Sequence, residues 1–294
     1  MTDQGYVLEP NADGYALVVT GPWTAGAAAR VLERDITGLT LNYARGFQER
    51  SLGFLDTWPL AELTVLARTI DDVEPVYRLA ATLQRLSVQV SPHVALDLRR
   101  LPLLTSLAAE WHQIEDTIAF LAGLRDLYVA SYAAPDLRSL TRNPALRTLR
   151  MKQHPRLTSL DGLQHLPALV DLAVLGARRL SDVGDLTAAP ATLTRLDLDS
   201  CGALTDLDSM AGLSTVQWLG IGNCGLIASL HPLTALTGLE VLYAAESTRI
   251  TDGDLTPLLH LTGLQDLRLA ARRHYRPTVD DIRAALGMPP WGTF

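Results

Sequence analysis

Lysine is nearly missing from this 294-residue sequence: Lys152 stands alone beside 24 arginines, and 32 acidic residues leave a formal net charge of −7. A chain this acidic, with no run of basic residues, lacks the clustered cations that displace counterions from nucleic acid or hold an anionic membrane surface. Neither nucleic acid nor membrane is therefore an expected partner. The two cysteines, Cys201 and Cys224, are too few for a disulfide framework or a four-ligand structural zinc site, and reduced structural thiols are expected. No uncharged apolar run approaches the roughly 18 residues that would span a bilayer. The start, Met1-Thr2-Asp3-Gln4-Gly5-Tyr6, has no basic segment leading into an apolar stretch, so it does not read as a secretory signal. Absence of a Gly-x-Ser-x-Gly segment and of a phosphate loop removes the common nucleophilic and phosphoryl-transfer signatures. A cytoplasmic chain is expected, and its arginine-rich, lysine-poor composition suggests a GC-rich bacterial genome.

Aromatic residues make up only 6% of the chain, whereas 56 residues are leucine. A core built from one side chain reused in register implies a repeat. The pattern apolar-x-x-Leu-x-apolar begins at Leu83, Leu104, Leu124, Leu146, Leu169, Leu193, Val216, Leu239 and Leu264, with weaker copies at Ile36 and Leu60. These eleven units are 20 to 25 residues apart. Within the clearest one, Leu193 to Cys201, inward leucines alternate with outward polar residues as in a strand, and Cys201 closes the turn; Cys224 occupies the same place one unit later. Downstream the period changes from two to three, as in Leu204, Leu207, Met210 and Leu213, which suits a short 3₁₀ return. Gly162, Pro167, Gly212, Pro232 and Gly238 fall where the return must turn tightly.

These units resemble the leucine-rich-repeat family, and the phrase Leu204-Thr205-Asp206-Leu207 with Met210-Ala211-Gly212-Leu213 is similar to its internalin-type class. The asparagine common at the family's turn position is replaced here by Cys, His, Ser, Ala or Arg, which weakens an asparagine ladder and leaves the strand core intact. The resemblance implies a single-domain α/β repeat: a right-handed solenoid with a parallel concave sheet and short convex returns, over residues 36–271. Residues 1–35 are expected to cap the front with a strand at Gly14 to Thr20 and a helix at Thr24 to Arg34. Residues 272–294 are expected to cap the back, with Thr278 and Asp281 opening a helix over Val279 to Leu286, Gly287 stopping it, and the tail Pro289 to Phe294 packing on the last rung.

Chemistry motifs fare poorly. Gly220-Ile221-Gly222-Asn223-Cys224-Gly225 matches a dinucleotide fingerprint, with Glu240 near the acidic offset, but Leu219 and Ile221 are inward strand positions and no helix start follows. The seven histidines lack metal-pair spacing; His112 and His154 fall at the turn position and are expected to point inward. Neither a cofactor nor a metal is expected. An enzyme would have to use the end regions, with Trp23, His274 and Tyr275 as its candidate participants, and these segments are too short to enclose a pocket unaided.

Counting from each unit start, places two, four and six point outward. They form two clusters. One brings together Tyr128, Arg150 and Lys152, with Trp111 and Tyr132 near the same edge. The other joins Asp197, Asp199, Trp218 and Tyr243 around Gly220 and Gly222, glycines expected to leave a shallow area free of side chains. Exposed aromatics beside charges favour a protein partner of mixed charge. The expected function is thus non-catalytic protein binding through the sheet, with an inhibitor or immunity-type protein that occludes a toxin or enzyme as the alternative.

Overall fold

A computed structural model describes residues 5–289. They fall into two compact units divided between Val129 and Ala130. The first opens with an antiparallel hairpin, β1 (Tyr6–Asn11) and β2 (Gly14–Val19). Strand β2 is the one the sequence pattern predicts; β1 escapes it because its residues are mostly exposed and carry Pro10, the composition of an edge strand, with no alternation to read. Helix α1 (Ala25–Arg30) begins where Thr24 Oγ1 accepts the Ala27 N–H at 3.1 Å, and it is shorter than the predicted span. Parallel strands follow: β3 (Ile36–Asn42), β4 (Glu62–Leu66), β5 (Arg85–Gln89) and β6 (Ser106–Glu110), then the single helical turn α2 (Trp111–Ile114) and β7 (Asp126–Ala130). Leu39, Leu63, Leu86 and Leu107 align across β3 to β6.

The second unit contains β8 (Thr148–Lys152), β9 (Asp171–Val174), β10 (Arg195–Asp197), β11 (Trp218–Gly220), β12 (Leu226–Ile227), β13 (Val241–Ala244), β14 (Arg249–Ile250), β15 (Asp266–Leu269) and helix α3 (Val279–Ala285). Leu149, Leu172, Leu196, Leu219, Leu242 and Leu267 form one column across β8, β9, β10, β11, β13 and β15, and every one is fully buried. Strands β12 and β14 pair separately as a two-stranded sheet. Returns are short 3₁₀ segments such as Asp208–Gly212 and His231–Ala235, as the change of period predicts. Ten of the eleven predicted unit starts stand two residues before a strand, and the first, Ile36, opens β3 itself.

Strands β7, β8, β9, β10, β11 and β13 each leave the sheet through a residue in the left-handed region at the seventh place of the unit. Ser131, Ser200, Asn223 and Glu246 accept this conformation at φ between 53° and 62°, and Gly176 does so at 78°. The next inward side chain then closes the turn. Cys201 Sγ donates to Val174 O at 3.3 Å, Cys224 Sγ donates to Leu198 O at 3.2 Å, and Thr248 Oγ1 donates to Ile221 O at 2.6 Å. All three acceptors are fifth-place carbonyls of the preceding unit, so thiols and a hydroxyl supply the ladder that asparagine would otherwise make. Burial pushes both thiols up to about 12.

Two turn residues depart from expectation. Gln153 and His154 are both left-handed, at φ 61° and 58°, and this extra reversal turns His154 outward while Pro155 is buried in its stead. His112 sits on α2 and is also exposed, with Nε2 sharing a hydrogen bond with Pro92 O at 2.9 Å. At the chain's far end Thr278 and Asp281 form the predicted reciprocal capping box of α3, and Gly287 ends the helix with φ 72°. Arg283 Nη1, buried, donates to Leu267 O at 2.7 Å and ties α3 to the last strand. Of the predicted tail only Pro289 lies within the described residues.

Candidate functional site

Of the two clusters that the outward columns single out, the one around Trp218 and Tyr243 meets on the strand face of the second unit. An open depression of about 350 Å³ is lined by Leu175, Asp197, Asp199, Trp218, Tyr243 and Arg268. Alternation puts them there: Trp218 is the second place of its unit, Asp197, Tyr243 and Arg268 are fourth places, and Leu175 and Asp199 are sixth places. Gly220 and Gly222 do not lie open between them, which corrects the expectation of a face free of side chains. A β-carbon at Gly220 would stand 2.5 Å from Asp197 Oδ1 and 2.6 Å from the six-membered ring of Trp218. One at Gly222 would stand 2.5 Å from both Asp199 Oδ2 and the ring of Tyr243. The glycines are therefore recesses into which two rings and two carboxylates fold, and both are buried.

Electrostatics set the orientation of these groups. The Arg195 guanidinium lies over the Trp218 indole, 3.4 Å from its ring centre, and Nη2 reaches Asp197 Oδ2 at 3.5 Å. Asp171 bonds Arg150 on one side and faces Arg195 Nε at 3.9 Å on the other, so charges of opposite sign alternate across β8, β9 and β10. Burial pushes the Asp197 carboxyl above its ordinary range in spite of the opposing pull of Arg195. Ser200 Oγ donates to Asp199 Oδ1 at 2.6 Å, which leaves Asp199 Oδ2 directed toward the Gly222 recess. Two half-buried rings with two carboxylates at their edges can take an apolar surface together with a hydrogen-bond donor.

No family model matches the sequence, and no curated protein matches it significantly. Solved structures do. An internalin of Listeria monocytogenes, inlF, aligns at 16% identity over 88% of this chain and 83% of its own, with a TM-score of 0.58. A TDR receptor aligns at 15% identity over 85% of this chain and 46% of its own, also at 0.58. The leucine-rich-repeat ectodomain of the Arabidopsis thaliana membrane receptor kinase GASSHO1/SCHENGEN3 aligns at 15% identity over 87% of this chain and 35% of its own, at 0.50. The chain has the leucine-rich-repeat fold. At these identities the likeness concerns the fold alone, and its short 3₁₀ returns agree with the internalin resemblance.

The other predicted residues of the repeat face are placed differently. Tyr128 is exposed on β7 of the first unit, and Lys152 is exposed at the end of β8 in the second. Arg150 is spent on Asp171. Trp111 is not at an exposed edge, a correction: β6 runs straight into α2, whose first residue rotates inward, and Trp111 is 2% exposed. Tyr132 is likewise buried, its hydroxyl donating to Asp136 O. Gly220 to Gly225 forms no strand-to-helix turn, in line with the rejection of the dinucleotide fingerprint. The end-region candidates are engaged in packing. Tyr275 is buried and its hydroxyl accepts the Ile250 N–H, His274 Nε2 shares a hydrogen bond with Ile250 O, and Trp23 stacks on Phe54. Column reading does not single out Arg195 or Asp171, because second-place charges look like ordinary solvated positions until Arg195 is seen over an indole. No helix among the described residues is long and apolar enough to cross a membrane.

Proposed function

We propose that this protein is a non-catalytic recognition module, acting in the cytoplasm, that binds a protein partner of mixed charge through the strand face of its second unit. The observation that carries this reading is the depression at Trp218 and Tyr243, where aromatic surface is held half-buried beside Asp197 and Asp199. Rings already fixed by glycine recesses and by Arg195 lose little freedom when a partner covers them, which is the property of a binding hot spot. Protein recognition by this fold has a parallel in the Arabidopsis ectodomain, solved in complex with CASPARIAN STRIP INTEGRITY FACTOR 2.

The test is affinity capture with the wild-type chain and with a Trp218→Ala, Tyr243→Ala double variant of unchanged circular dichroism. A protein retained by the former and lost from the latter is the expected result. An identical retained set for both would refute this face as the binding surface. With the partner in hand, loss of its activity on binding would mark an inhibitor, and unchanged activity a scaffold.

A further inference from the structure

A second depression of the second unit, about 460 Å³, is lined by His154, Pro155, Arg156, Gly176, Arg178 and Arg179. Its cations come from two successive turns. The bridge between Ser159 and Asp182 fixes the register of those turns, and counting back three residues from each brings Arg156 and Arg179 to equivalent places on adjacent rungs. Adjacent rungs are about 4.8 Å apart. Like charges stacked at that spacing repel, and a carboxylate beside them would ordinarily relieve it. The molecule supplies such carboxylates elsewhere: Arg100 is matched by Glu74, Arg138 by Asp161 and Arg150 by Asp171. Arg156, Arg178 and Arg179 are exposed and have no ion pair or side-chain hydrogen bond among the described residues. Their forked donors therefore stay unspent around one concavity of a chain whose net charge is −7.

Planar guanidinium forks match the oxygens of a phosphoryl group two at a time, and three forks in one concavity match a dianion better than they match a single carboxylate. Gly176, left-handed at φ 78°, contributes no side chain to the floor, and the His154 ring lies beside it with a polar ring nitrogen. We propose that this depression is a binding site for a phosphate monoester dianion, separate from the aromatic site on the strand face. A sequence scan for basic runs passes over it, since Arg156 and Arg179 stand one repeat apart and become neighbours only on folding.

The test uses the full chain and three probes in calorimetric titrations: inorganic phosphate, a phosphoserine peptide, and the same peptide with glutamate in place of phosphoserine. Phosphate and the phosphopeptide are expected to compete for one site, with the glutamate peptide weaker by about tenfold or more. Arg156→Gln with Arg179→Gln should abolish both phosphate-dependent signals while the thermal midpoint stays level or rises, because a repulsion is removed. The milder Arg156→Lys, Arg179→Lys pair keeps the charge and loses the fork, and should weaken the phosphopeptide by about tenfold. Phosphopeptide binding much tighter than inorganic phosphate would place the group on a protein partner, and equal binding on a small molecule. Absence of phosphate binding, equal binding of the glutamate peptide, or phosphate binding unchanged in the glutamine pair would overturn the proposal.

Discussion

Replacing Gly220 with alanine should move one aromatic ring and leave the repeat standing. The new β-carbon would lie 2.6 Å from Cη2 and Cζ3 of Trp218 and 2.5 Å from Asp197 Oδ1. Carbon atoms in contact rest about 3.5–4.0 Å apart, so the indole must retreat by about 1 Å. Both obstructing groups are ends of side chains, and the backbone of β11 can stay in place. Retreat costs the stacking of Arg195 on the indole, about 0.5–2 kcal/mol, and an off-rotamer torsion adds about 0.5–1.5 kcal/mol. Removing a glycine from a strand returns about 0.5–1 kcal/mol. The net loss of stability is thus about 1 kcal/mol, small beside the effect on a ring that a partner must meet in a fixed position.

Tryptophan emission measures this directly. Gly220→Ala should shift the emission to longer wavelength as the indole becomes wetter, and the shift should vanish when the same substitution is made in a Trp218→Phe background. Urea unfolding of the two chains should differ by about 1 kcal/mol. Gly222→Ala is expected to act in the same way on Tyr243, whose ring carbons would lie 2.5 and 2.9 Å from the added atom. Unchanged emission in Gly220→Ala would show that the indole does not cover the glycine. A loss of several kcal/mol would show that the ring belongs to the core; either result would refute the site as described.

Three further expectations test the same structure. Leu196→Ala, at a fully buried position of the leucine column, should destabilise by about 2–5 kcal/mol, whereas Trp218→Ala should cost about 1–2 kcal/mol through the lost cation stacking; equal penalties in denaturant would mean the strand register is wrong. Cys201 and Cys224, pushed up to about 12 by burial, should resist Ellman's reagent at pH 8 in the folded chain and both react in denaturant. Because the unfolded thiols ionise near 8.5 and the folded ones do not, stability should fall as pH rises above that value, and a shallower fall in a Cys201→Ala, Cys224→Ala chain checks the cause. Asp197 holds its proton to higher pH when folded than when unfolded, so it lowers stability as pH rises through and just above the ordinary carboxylate range; Asp197→Asn should remove that slope in urea titrations from pH 4 to 7, and parallel profiles would contradict it.

The fold was legible because its energetics are periodic. Each unit buries the same leucine positions, so Leu149 to Leu267 announce the strands by spacing alone, and the change of period announces the returns. The back cap was legible for a local reason, since Thr278, Asp281 and Gly287 carry helix-start and helix-stop chemistry within ten residues. Strand β1 was not, because an exposed edge strand has no buried face to impose alternation. Trp111 illustrates the limit of counting: the rule for outward places holds while the backbone stays extended, and it lapses at the residue where β6 becomes α2. Nothing in the residues around Trp111 distinguishes that unit from its neighbours until the helical turn is seen.

Four of the six residues lining the candidate depression were legible as one cluster, its arrangement was not, and the glycines explain the difference. Columns of outward places identify Asp197, Asp199, Trp218 and Tyr243 as neighbours, because rungs convert a separation of one repeat into a few ångströms. Counting says nothing about lateral packing on the face. Gly220 and Gly222 read in sequence as empty ground, yet a missing β-carbon beside a large ring is filled by that ring, since an unfilled recess forfeits dispersion contacts. The same geometry determines which charges stay available. Arg150, an outward cation by its place in the unit, is consumed by Asp171 on the next strand, whereas Arg156, Arg178 and Arg179 form no ion pair among the described residues. A charge on a repeat protein is free or spent according to what stands one period away, so surfaces of this kind are read by comparing equivalent places on adjacent units.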